Sequence, residues 1–182
     1  VELDARNGDG DLGLTMKNGF VAVADSLAAS EETDLGRALM KCSSVFNEKS
    51  PSTLGTIVSM FLLGMAVKLK GKTEATAAEV AQAMENGAAK IMDKAGSKPG
   101  EKTILDALCP AVEAFGADAA AGFAAASAAA AAAADRGMES TKQMRSVHGR
   151  AAYYGDKSIG LVDGGAVACM LMFKALAAHC AR

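Results

Sequence analysis

The chain has 182 residues, 51% of them hydrophobic, and its 19 Lys and Arg against 21 Asp and Glu give a formal net charge of -2. That length fits one domain, residues 1–182, with enough apolar side chains to bury a substantial core. The cationic residues are scattered rather than clustered, so neither a nucleic acid nor an anionic membrane is an expected partner.

Val1 opens the chain inside a Gly/Asp-rich motif with no signal-peptide pattern before it, and a trimmed N-terminal segment is the expectation. In LDARNGDGDLGLT, three carboxylates, Asp4, Asp9 and Asp11, fall within eight residues. Two such charges about 4 Å apart repel by roughly 1 kcal/mol in water and about 4 kcal/mol at the effective dielectric of a protein surface. A bound divalent cation reverses that sign, and hard oxygen donors suit Mg²⁺ or Ca²⁺.

Three other motifs fit this loop less well. GDGDLG satisfies GxGxxG but follows no strand, and bare carboxylates would repel a pyrophosphate. Gly8 to Thr15 has P-loop spacing, but Leu14 stands where the lysine must be. An EF-hand starting at Asn7 would need glycine at position 12 and glutamate at position 18, where the chain has Leu12 and Asn18. A solvated turn whose aspartates cap the next helix is the bland alternative.

After the loop, Met16, Phe20, Val23 and Leu27 recur at helical spacing, and Asp34 caps a second helix carrying Leu35, Leu39 and Met40. The apolar stretch Leu54 to Leu69 is interrupted by Gly55, Gly64 and Lys68 and falls short of the roughly 18 residues a membrane span needs, so it predicts a core helix. Thr76 to Ala95 opens on a Thr76/Glu79 capping box. Thr103 to Phe115, Ala117 to Ala134, Met138 to Val147 and Gly165 to Ala181 complete about eight helices without a convincing strand. Fourteen of the eighteen residues from Ala117 to Ala134 are alanine, which favours a close-packing helix over a linker. Pro51, Pro99 and Pro110 are placed in loops or at a helix edge. The expected fold class is all-α.

Cys42, Cys109, Cys169 and Cys180 lie far apart on apolar stretches, without metal-ligand spacing, and are expected to be buried thiols in a reducing cytoplasm. His148 and His179 have no metal-ligand partner at usable spacing, although His148 adjoins Gly149 and Arg150 and could border a ligand site.

Chemistry is expected in four loops: Asn7 to Thr15, Asn47 to Thr53, Gly96 to Lys102 and Gly149 to Gly165. In KPGEKT, Lys102 and the N–H groups of a helix start could meet an anion, with an ordinary helix entry as the alternative. SPSTLGT offers hydroxyls and backbone donors, and Ser52 or Thr53 could equally be plain caps. GRAAYYGDKSIGLVDGGA holds Arg150, Tyr153, Lys157 and Asp163, a composition suited to phosphate charge and a planar base or simply to a surface loop. No nucleophile–base set and no evident general base can be assembled, which suits phosphoryl transfer, where positioning and charge neutralisation dominate.

Taken in order, LDARNGDGDLGLTMKNGF, KPGEKTILDALCPAVEA and GRAAYYGDKSIGLVDGGA resemble the three signature segments of the nucleotide-binding L subunit of bacterial dihydroxyacetone kinase, which is also the C-terminal domain of single-chain versions. The resemblance covers nearly the whole chain. It implies an eight-helix antiparallel barrel with a nucleotide, ADP or ATP, at one mouth. It also implies that Asp4, Asp9 and Asp11 act as the catalytic, metal-holding carboxylates for two Mg²⁺. Leu12, Gly13, Thr15, Ser52, Thr53, Gly100, Arg150, Asp163, Gly164 and Gly165 are the nucleotide-binding residues it implies.

Leu12 stands where the family commonly has His, Thr15 where it has Asn, Gly164 where it has Pro, and NEKSPST where it has a glycine-rich GGxSG. The implied activity is phosphoryl transfer to dihydroxyacetone or a related small ketose held on a partner K subunit. The donor is ADP recharged by a phosphohistidine protein fed by phosphoenolpyruvate, or alternatively ATP. A homodimer and a non-catalytic, nucleotide-binding regulatory subunit are the remaining expectations.

Overall fold

A computed structural model describes residues 12–148 and 150–182. Among these residues there are seven α-helices and no strand, which bears out the all-α class but is one helix fewer than the eight or so expected. They are α1 (Leu12–Ala28), α2 (Leu35–Lys49), α3 (Thr53–Leu69), α4 (Ala77–Ala95), α5 (Leu105–Ala117), α6 (Phe123–Ser140) and α7 (Gly164–Cys180). The described residues fall into two compact units that divide between Ala95 and Gly96.

In the N-terminal unit, consecutive helices pack on one another. Asp34 caps α2 by accepting from Arg37 N at 3.0 Å, and its other oxygen accepts from Gly71 N at 2.9 Å beyond the end of α3. One short side chain thereby satisfies an orphan helix donor and ties two helix ends together. Phe46, fully buried, meets Phe20 edge-to-face with centroids 4.9 Å apart. It lies over Gly19, where a methyl would come within 2.8 Å of the ring. The predicted capping box is present: Thr76 N donates to Glu79 Oε2 at 2.8 Å and Glu79 N to Thr76 Oγ1 at 3.3 Å. Lys72 adds an ion pair to Glu79 at 2.8 Å.

In the C-terminal unit, α5, α6 and α7 touch one another pairwise. The alanine-rich segment is helical, as propensity predicts, but it begins at Phe123 after a turn at Gly122 and runs to Ser140. The segment Met138 to Val147 is therefore not a separate helix. Met138 lies in the last turn of α6, one 3-10 turn follows over Thr141–Gln143, and extended backbone begins at Met144. Pro110 does not mark a helix edge but lies inside α5. It has no N–H to give the carbonyl of Asp106, four residues back, and Gly137 of α6 passes that carbonyl so closely that a methyl would sit 2.2 Å from its oxygen.

Candidate functional site

The acidic residues Asp4, Asp9 and Asp11 lie outside the described residues. Leu12, Gly13 and Thr15, placed in a loop by the sequence reading, occupy the first turn of α1. Among the described residues no cluster of three or more metal-ligating side chains occurs.

At the start of α3, Ser52 is the cap: its hydroxyl oxygen accepts from Gly55 N at 3.0 Å, while Thr53 is exposed. The turn is tight because Ser52 N donates to Ser50 O at 2.7 Å, and a methyl on Gly55 would lie 1.9 Å from that same oxygen. Glycine is required there by space rather than by dihedral angle. Ser50 Oγ is buried and has no hydrogen-bond partner among the described residues.

In the C-terminal unit, KPGEKT turns out to be a structural hub. The Asp106 carboxylate accepts from Gly100 N and, at 2.7 Å, from Thr103 N. An internal anion therefore already occupies the donors ahead of α5. Lys102 is likewise not offered to a ligand. It is 3% exposed, and its ammonium donates to the carbonyl oxygens of Thr141 (2.7 Å), Met144 (3.2 Å), Ser158 (2.7 Å) and Leu161 (2.6 Å). Burial pushes its pKa below the ordinary lysine value, opposed by the nearby charge of Asp163. The contacts bear out the ordinary helix entry: groups of the chain itself meet both the amides ahead of α5 and the Lys102 ammonium.

Glu101 completes the hub. Its carboxylate bonds His148 Nε2 at 2.6 Å and accepts from Lys98 N at 3.0 Å, and both contacts hold it below the usual carboxylate range. His148 is thus engaged by a carboxylate.

The connection from α6 to α7 is knitted by small polar side chains. Ser158 Oγ accepts from Ser146 N and donates to Gly155 O. Thr141 Oγ1 donates to Met138 O and accepts from Asp163 N. Arg150 opens the 3-10 segment Arg150–Ser158 in this connection, and Tyr153 is 92% exposed.

Asp163 caps α7, accepting from Ala166 N at 2.7 Å. Burial pushes its carboxyl up to about 6; the N–H groups of Ala166 and Gly165 and the charge of Lys102 oppose that rise, and the charge of Asp106 adds to it. A methyl on Gly165 would lie 3.0 Å from Asp163 Oδ2 and 3.3 Å from Ile104 Cβ. Ile104, at the start of α5, and the Asp163-Gly164-Gly165 turn are therefore brought against each other. The nucleotide candidates Ser52 and Thr53 sit in the other unit.

Sequence reasoning missed Asp106, Thr141 and Ser158. Asp106 was findable, since Thr103-Ile-Leu-Asp106 before an apolar run is a capping-box pattern. Thr141 and Ser158 also act through partners 22 and 12 residues away, Asp163 N and Ser146 N, which leave no signal in a short window.

Comparison with known proteins now adds to this geometry. A family model described as the DAK2 domain matches residues 7–178. The chain is 30% identical over 177 residues to the ADP-binding subunit DhaL of the PEP-dependent dihydroxyacetone kinase of Escherichia coli, covering 96% of this chain and 84% of that one. It is 30% identical to the dihydroxyacetone kinase of Pichia angusta, covering 90% of this chain but only 29% of that longer protein. Among solved structures, the dihydroxyacetone kinase of C. freundii in complex with AMP-PNP and Mg²⁺ superposes with a TM-score of 0.70 at 28% identity, over 97% of this chain and 29% of that one.

Proposed function

We infer the function from one premise: this chain belongs to the DAK2-domain family. It is a kinase module that binds a Mg-nucleotide and passes a phosphoryl group to dihydroxyacetone or a related small ketose held by a K-type partner subunit. The observation that carries this reading is the near-complete overlap with a free-standing ADP-binding subunit, 84% of which is covered. The same overlap favours ADP as a resident coenzyme recharged from a phosphoenolpyruvate-fed phosphohistidine donor. Direct use of ATP is the second reading, favoured by the AMP-PNP and Mg²⁺ in the C. freundii complex. Residues 1–182 act as one functional domain in this proposal, supported by a single family model that runs through both units, and the eight-helix barrel belongs to the same proposal.

By the chemistry of the donor set, Asp4, Asp9 and Asp11 fit Mg²⁺: three hard carboxylates within eight residues leave coordination positions for water and phosphate oxygens. The cations, when bound, neutralise charge on the phosphates. The chain's own residues position the ligand. Leu12, Gly13 and Thr15 open α1, and Ser52 and Thr53 open α3, each offering first-turn groups to phosphate. Gly100, Arg150, Asp163, Gly164 and Gly165 help enclose the nucleotide.

The test is thermal denaturation with and without MgADP. A ligand at about a hundred times its Kd adds roughly 2.7 kcal/mol of stability, so the melting temperature should rise by several degrees. Asp9→Asn with Asp11→Asn should abolish that rise. A rise that survives in the double variant defeats the metal assignment, and no rise in the native chain with either ADP or ATP defeats the nucleotide reading.

A further inference from the structure

Lys102 combines three features that ordinary folding does not require together. It is the only described non-glycine residue with a positive φ, 58°, a conformation that costs an L-residue energy. It is buried, and among the described residues no carboxylate lies in hydrogen-bond contact with its ammonium, whose contacts there are the four carbonyl oxygens. Those four all belong to one stretch of chain, residues 141–161, reached from 39 to 59 residues away. An ammonium has three protons, and here all of them are directed at backbone of the connection between α6 and α7.

Otherwise the connection is held by bonds within itself, such as those from Ser146, Gly160 and Asp163 N–H. It contains no α-helix, and Tyr153, Ile159 and Val147 on it are exposed. Its other long-range ties come from the same short loop: Glu101 O accepts from Val147 N at 3.4 Å, and the Glu101 carboxylate holds His148. Two successive residues of KPGEKT thus clamp the segment that carries Arg150 and delivers Asp163 to the start of α7.

We propose that Lys102 is a positioning residue for nucleotide binding: by gathering the carbonyls of residues 141, 144, 158 and 161 onto one ammonium, it sets the Arg150–Gly165 segment before the ligand arrives. The proposal rests on the nucleotide reading above. Lys102 touches no ligand itself; its effect passes through the backbone it fixes.

The experiment measures MgADP affinity calorimetrically, well below the melting temperature, for the native chain, Lys102→Met, Lys102→Gln and the core variant Phe115→Leu. Phe115 is a buried residue of the same unit and controls for general destabilisation. Lys102→Met should weaken binding by about tenfold or more, the loss expected from misplacing binding groups by an ångström or less. Lys102→Gln, which keeps two N–H donors, should fall between Met and the native residue. Phe115→Leu should bind like the native chain despite a lower melting temperature.

Equal affinity in native and Lys102 variants, or an equal loss in Phe115→Leu, overturns the positioning role. No MgADP binding by the native chain overturns the nucleotide reading and this inference with it. If neither Lys102 variant folds, hydrogen exchange on the native chain decides. The amides of Ser146, Gly160 and Asp163 should be protected before nucleotide is added, and protection gained only on adding it overturns the proposal.

Discussion

At position 163 a carboxylate caps a helix where its own charge is disfavoured. The ordinary aspartate value of 3.8 rises to about 6, chiefly through burial, with Asp106 adding to the rise. Because the folded chain holds this proton more tightly than the unfolded chain, the carboxyl stabilises the fold fully below about pH 4. That contribution is lost as pH rises through about 6. A rise of about two units corresponds to at most roughly 3 kcal/mol, and partial access to solvent reduces it. Asn at 163 keeps an acceptor for Ala166 N–H but cannot ionise. Urea unfolding of Asp163→Asn and the native chain, without nucleotide, should therefore show the difference moving in favour of Asn by about 1 to 3 kcal/mol between pH 4 and pH 7. A difference that does not change with pH would mean that burial does not disfavour the Asp163 charge.

Between helices, close approach is set by glycine. A methyl on Gly64 of α3 would lie 2.6 Å from the Cα of Gly87 on α4, and Asn86 Nδ2 donates to the Gly64 carbonyl at 2.7 Å across the same crossing. Two effects oppose each other in Gly64→Ala. Helix propensity favours alanine by about 1 kcal/mol, while forcing two backbones apart costs about 1 to 3 kcal/mol or more. Sterics should win, and denaturant unfolding should show net destabilisation; a more stable variant would mean that the crossing gives way easily. The helix beginnings were legible in sequence wherever a cap is local, as at Asp34 and Thr76. The end of α6 was not. Met138, Met144 and Val147 keep an apolar pattern that reads as helix, but the carbonyls of Thr141 and Met144, which a continuing helix would give to the next turn, go to Lys102. A competitor about forty residues away leaves no trace in a local window.

Across the whole molecule, local charge leaves a sequence pattern and long-range connectivity does not. The Asp4/Asp9/Asp11 repulsion can be read from eight consecutive residues, whereas the Lys102 clamp exists only once the connection from α6 to α7 is in place. Lys102 shows why: a lysine beside a helix start looks like an anion ligand until its four carbonyl partners are known. The expectation of buried thiols, read from apolar surroundings, holds for two of the four cysteines. All four are free thiols, Cys42 and Cys169 buried and Cys109 and Cys180 half-buried. Burial raises Cys42 and Cys109 and pushes Cys169 up to about 12, with Cys109 adding to the last. The thiolate is the reactive form, so these three should be almost entirely protonated and inert at neutral pH. A colorimetric thiol titration of the native protein at pH 7.5 should therefore find at most one fast-reacting group, Cys180, and all four after denaturation. Cys180→Ser should remove the fast phase. A second fast thiol in the native state would show that the helix carrying it opens often enough to expose it; if it were Cys109 or Cys169, on α5 and α7, that looseness would be at odds with a preset C-terminal unit.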